Sequence, residues 1–88
     1  MTPVLTAEQM LIIADEFCEA HRIHVQDFAA LVAAAAVPGA QISGIPIHVN
    51  ASAAGRALAI AVARLEPLSD YNREFGEVCR DMYRRLSS

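Results

Sequence analysis

The sequence predicts an all-α domain of four helices, with a short β-hairpin or extended flap between the second and third. Three observations carry that expectation. Four stretches repeat apolar residues at i, i+3, i+4 and i+7, the spacing that places them on one helical face. Capping and breaker residues bracket those stretches. A single segment, residues 40–50, switches to a period of two.

The first helix is read over Val4 to Arg22. Thr6 and Gln9 fit a capping box, in which each side chain satisfies an amide donor left free at the helix start. Met10, Ile13, Ala14, Phe17 and Cys18 form its apolar face. The second helix runs from about Gln26 to Ala36, with Phe28, Leu31, Val32, Ala35 and Ala36 inward. Its alanines, Ala33 to Ala36, have high helix propensity and little bulk, so another helix can approach closely. Pro38-Gly39 ends it.

In AQISGIPIHVN, Ile45, Ile47 and Val49 alternate with Pro46, His48 and Asn50, and Ser43-Gly44 offers a turn. Pro46 confines any strand there to an edge. The third helix follows over about Ser52 to Leu65, with Ala54, Leu58, Ala61, Val62 and Leu65 inward. Residues 66–70 break it. The fourth runs from Tyr71 to about Leu86, with a stripe of Tyr71, Phe75, Val78, Cys79, Met82 and Leu86. Arg80, Arg84 and Arg85 lie toward its C-terminus, where the helix dipole favours cations.

Composition bounds the function. A chain of 88 residues allows one domain, 1–88, and its 55% hydrophobic and 19% charged residues exclude a disordered tail. No apolar run reaches the length of a membrane span, and Met1 to Gln9 lack the basic start and apolar middle of a signal peptide. The chain therefore reads as cytoplasmic, with no membrane partner. All 7 basic residues are Arg and the net charge is −3, with no basic stripe, so no nucleic-acid partner is expected. Cys18 and Cys79, far apart in sequence, read as small buried apolar groups. His21 and His24 stand at i, i+3, but Ile23 and Val25 suggest that the helix is ending there, and no third metal ligand is evident. His48 reads as a solvated turn residue.

The stretch richest in chemistry is the break at 66–70 and the start of the fourth helix. A helix N-terminus presents free N–H groups and partial positive charge, and so can hold an anion. Asp70, Asn72 and Arg73 lie there. On spacing alone, Ser69 or Asp70 also reads as a plain N-cap.

Glu66-Pro67-Leu68-Ser69-Asp70-Tyr71-Asn72-Arg73-Glu74 resembles the Fic/Doc motif H-x-F-x-[D/E]-[G/A]-N-[G/K]-R, which lies between two helices. The surroundings resemble the Doc branch. Leu5-Thr6-Ala7-Glu8-Gln9 is similar to the start of its first helix, and Asp27-Phe28-Ala29-Ala30-Leu31-Val32-Ala33-Ala34 to its second. Residues 37–50 stand where that family has its flap. Residues 57–65 match the Ala/Leu-rich helix leading into the motif. The likeness spans nearly the whole chain.

The resemblance implies a four-helix Fic/Doc-like bundle. It also implies an ancestral transfer of phosphate or a nucleotidyl group from a nucleotide to a protein hydroxyl, in a toxin–antitoxin setting. Glu66 takes the position of the motif His, the general base. Asp70 matches the magnesium-binding acid; Asn72 is retained and Arg73 matches the basic residue. Leu68 replaces the anchoring aromatic and Tyr71 the small Gly/Ala. Glu74 replaces the phosphate-clamping Arg, substituting a negative charge for a bidentate cation. Loss of base and clamp together implies a degenerate enzyme, so no cofactor is expected, with ATP and Mg entering only where activity is retained. The implied partner is an antitoxin-like or other protein, bound near residues 40–60. Ile42, Ile45, Ile47 and His48 of the flap face that partner or target.

The alternative is a non-enzymatic helical module that homo-oligomerises or binds a partner helix through the second and third helices. The chain ends at Ser88, shortly after the fourth helix. Met82 and Leu86 are therefore expected to be partly exposed and available to an interface.

Overall fold

The computed structural model describes residues 5–48 and 50–86, with Ile42 described by its backbone alone. Val4 and Val49, read above as part of the first helix and of the flap, lie outside the described residues. The elements follow in the order α1 (Ala7–His21), α2 (Phe28–Ala36), a 3₁₀ turn (Val37–Gly39), β1 (Gln41–Ile42), β2 (Ile45–Pro46), α3 (Ala51–Leu65) and α4 (Asn72–Leu86). The domain is all-α apart from the β1–β2 hairpin between α2 and α3.

Helix α1 starts where the capping box places it. The Thr6 Oγ1 accepts from the Gln9 amide at 3.0 Å, and the Gln9 Oε1 accepts from the Thr6 amide at 2.9 Å. Leu5 thus precedes the helix rather than belonging to it, and is itself buried. At the other end Arg22 adopts the left-handed conformation, and the Ile23 amide reaches back to the Cys18 carbonyl at 3.0 Å. Asp27 and Asn50 cap α2 and α3 in the same way as Thr6 caps α1, accepting from Ala30 and Ala53 respectively. The hairpin turn puts Ser43 at φ 51° and Gly44 at φ 80°. Two successive positive φ values give the twist that a two-residue hairpin loop needs.

The core joins Met10, Phe17 and Leu31 to Leu58, Val62, Leu68, Phe75, Cys79 and Tyr83. Both cysteines are free thiols and buried. On α1 the expected face is the buried one. On α2 it is not. Ala30, Leu31, Ala34 and Ala35 turn inward, while Phe28 is 55% exposed and Val32 40%. Every residue of α2 is apolar, so no polar side marks which face belongs to solvent, and packing alone chose the face carrying Ala30, Leu31, Ala34 and Ala35.

Helix α4 shows a similar rotation. Phe75 and Cys79 are buried as expected, but Gly76 and Tyr83 join them, while Tyr71, Val78, Met82 and Leu86 are exposed to at least a third. The cause is the crossing with α3. A Cβ on Gly76 would stand 2.8 Å from the Ala59 carbonyl oxygen, so glycine lets the two backbones touch there. Gly55, near the other end of α3, faces the Arg80 stem and the Tyr83 ring. On α3 itself Gly55 and Ala59 are buried and Leu65, expected inward, is 43% exposed.

Candidate functional site

Residues 66–71 connect α3 to α4, and most of their geometry is set by the backbone. Glu66 ends α3 in the left-handed conformation, its amide bonded to the Val62 carbonyl at 3.1 Å. The chain then runs alongside the segment linking α1 to α2. The Pro67 carbonyl accepts from the amides of Gln26 and Asp27, and the Ser69 amide donates to the His24 carbonyl. Val25 and Leu68 form an antiparallel bridge. The Gln26 side chain donates to the Glu66 carbonyl at 2.9 Å. Pro67 and Leu68 are buried beneath this clasp.

Ser69 and Asp70 do not cap α4, contrary to the expectation from spacing. Ser69 Oγ accepts from the His24 amide at 3.1 Å, and Asp70 Oδ1 accepts from the adjacent Tyr71 amide at 2.7 Å. Tyr71 turns left-handed, at φ 59°, before the helix begins at Asn72. Asn72 folds back on the loop instead. Its side chain accepts from the Leu68 amide and donates to the Leu68 carbonyl, each at 2.9 Å, which closes residues 68–72 into a ring.

Glu66, Asp70, Asn72 and Arg73, named from the sequence, line one open cavity of about 480 Å³ together with Gln26, Ala63, Ser69, Tyr71 and Glu74. Three carboxylates, Glu66, Asp70 and Glu74, thus surround one guanidinium, Arg73. The balance is negative and disfavours an anion in that cavity. A magnesium ion needs one or two protein carboxylates when a nucleotide's phosphates supply the rest. Asp70 can offer its second oxygen in that role, but among the described residues no group of three His, Cys, Asp or Glu could hold a metal by itself.

Sequence reasoning missed Gln26 as part of this cavity. It lies 40 positions from Glu66, and no local pattern reports such a contact. Tyr71 was noted as bulky in place of a small residue. Its ring lies 5.0 Å from His21, which lies 4.1 Å from Phe17, in turn 5.2 Å from Phe75. His21 is therefore engaged by aromatic rings, and His24 lies beyond the end of α1, so the two histidines do not share a helical face.

The flap residues stand apart from this cavity's lining. Ile45 is 70% exposed and Ile47 49%, so the alternation of residues 45–50 does not bury these isoleucines. The strands stop at two residues each, and among the described residues their sheet has no third strand. His48 is half-buried in a bend, and the Ile42 side chain lies outside what is described. Among the described residues no helix is long and apolar enough to cross a membrane. No family model, no curated protein and no solved structure matches this chain.

Proposed function

We propose that the chain is a Doc-like protein of the toxin–antitoxin type, catalytically degenerate, that acts by binding another protein. The observation that carries this reading is the left-handed Tyr71. It occupies the motif position that resembling proteins fill with Gly or Ala, and glycine adopts that backbone conformation at least cost. The loop thus keeps a shape suited to glycine, while its residues no longer suit phosphate. The order of helices, hairpin, helix, loop and helix supports the same descent, as does the gathering of Glu66, Asp70, Asn72 and Arg73 around one cavity.

The ancestral chemistry would be transfer of a phosphoryl or nucleotidyl group from ATP with Mg to a protein hydroxyl, in the cytoplasm. Glu66 replaces the imidazole that resembling proteins use as general base, and a carboxylate is the poorer general base of the two. Glu74 in place of a guanidinium repels the phosphate it should hold. What survives is a binding surface, and the exposed Ile45 and Ile47 at the hairpin suit an antitoxin-like or target protein.

Incubation with labelled ATP and a cell lysate should give no label transfer. Robust transfer abolished by Glu66→Ala would overturn the reading and make Glu66 a working base. Glu74→Arg should strengthen nucleotide binding at least several-fold by reversing a charge at the helix start; an unchanged affinity would mean that no anion site remains to repair. The alternative, homo-oligomerisation through α2 and α3, is favoured by Phe28, Val32 and Ile60, all exposed. Sedimentation showing a dimer that Phe28→Ser dissolves, without any nucleotide affinity in either Glu74 form, would favour it instead.

A further inference from the structure

A second concavity, of about 200 Å³, lies along the α3–α4 groove and is lined by Arg56, Ala59, Ile60, Ala63, Arg73, Glu77 and Arg80. It meets the loop cavity at Ala63 and Arg73 but has the opposite charge. Three guanidiniums here face one carboxylate, in a chain whose net charge is −3. That carboxylate neutralises little, because the Glu77–Arg80 pair is 4.0 Å apart and Glu77 is 65% exposed.

Arg80 carries the inference. Its stem packs against Gly55, and its Nε is buried with no hydrogen-bond partner. Its Nη1 has only the 4.0 Å approach to the exposed Glu77 carboxylate, so the Nη donors at the outer end of the side chain are open to an oxyanion in the groove. Arg56 approaches from α3, so two guanidiniums from different helices can grip one tetrahedral anion with paired N–H donors. Arg73 stands two helical turns from Arg80, about 10 Å along the axis, with Ala59, Ile60 and Ala63 as an apolar floor between.

We propose that this groove binds a phosphate group, held by Arg56 and Arg80, with Arg73 available to a second anionic group of the same ligand. The proposal does not rest on descent from a transferase, and it concerns side chains outside the loop cavity apart from Arg73.

Titration calorimetry at fixed ionic strength, using inorganic phosphate and pyrophosphate as probes, tests it on the full chain. Both should bind, pyrophosphate more tightly. Arg56→Gln and Arg80→Gln should each weaken phosphate binding by roughly tenfold, the loss of one charge-assisted contact. Arg80→Lys should recover only part of that loss, since an ammonium lacks the planar pair of Nη donors. Glu77→Gln should tighten binding, and Glu19→Gln, on α1 and outside the groove's lining, should leave it unchanged. Arg56 is exposed, so its variant keeps the test open even if Arg80→Gln unfolds. Absence of phosphate binding, or binding unaffected by Arg56→Gln, would overturn the proposal. Binding of a hexaglutamate peptide that phosphate does not displace would overturn it too, in favour of a protein-docking surface. Binding weakened by Arg73→Gln but not by Arg56→Gln would place the anion in the loop cavity and refute the groove.

Discussion

Tyr71 and Asn72 are adjacent, and each is held by a different constraint. Tyr71 sits at positive φ, where a Cβ crowds the backbone and a β-branched residue is nearly excluded. Tyr71→Gly should therefore change stability by less than about 1 kcal/mol, relief of the backbone offsetting loss of the ring contact with His21. Tyr71→Val should cost about 1–2 kcal/mol, although it retains more apolar surface. The reverse order in chemical denaturation would show that the ring contact, not the backbone, governs the position. Asn72 makes two hydrogen bonds to Leu68 from a half-buried site, so Asn72→Ala should cost about 2 kcal/mol, near 1 for each bond. A melting temperature equal to the parent's would mean that Asn72 is not needed to hold the loop closed. The retained Asn and the bulky Tyr were both legible from the sequence; the ring that Asn72 closes and the left-handed turn were not, because neither leaves a spacing pattern.

Among the elements, the α3–α4 pair depends on two glycines that sequence periodicity treats alike. A methyl group on Gly76 would meet the Ala59 backbone, which cannot move without shifting α3. Gly76→Ala should destabilise by about 1–2 kcal/mol, overpacking exceeding the gain in helix propensity. A methyl group on Gly55 would meet the Arg80 stem and the Tyr83 ring at 3.5 and 3.6 Å, ordinary contact distances. Gly55→Ala should stabilise by about 0.5–1 kcal/mol, since there the propensity gain stands alone. Paired thermal melts check both signs, and two changes of the same sign would contradict the close approach at Ala59. The helices themselves were readable to within one to three residues at most ends, because caps and breakers act locally. Their inward faces were readable on α1, where acids mark the solvent side, and poorly on α2, which offers no such marker.

For the molecule as a whole, the buried thiols set an alkaline limit. Burial raises the Cys79 thiol from 9.0 to about 12, and Cys18 is raised by burial and by the Asp15 carboxylate one turn away. Burial raises the Tyr83 hydroxyl as well. A raised folded-state pKa means that the unfolded chain loses its proton first. The stabilisation is thus complete below pH 9 and is lost as pH rises toward 12, by up to about 1.4 kcal/mol per pH unit for Cys79. Cys79→Ala should flatten that decline, measured as urea midpoints across pH 8 to 11; an unchanged slope would place the alkaline transition elsewhere. Neither thiol should react with Ellman's reagent at neutral pH until the chain unfolds. The Cα radius of gyration is 12.2 Å, against about 12 Å for a compact chain of this length, so the exposed isoleucines do not reflect a loose fold.

By itself the sequence determined the all-α class, the positions of the four helices, a short extended insertion between α2 and α3, and the two cysteines as core groups. Those follow from propensities, caps and turns, which act over a few residues. Tertiary structure alone decided that Gln26 meets the 66–71 loop, that Gly76 and Tyr83 join the inner face of α4, and that Arg56, Arg73 and Arg80 share one groove. Each depends on how two helices cross, and a crossing is settled by side-chain shape at separations that no local pattern records.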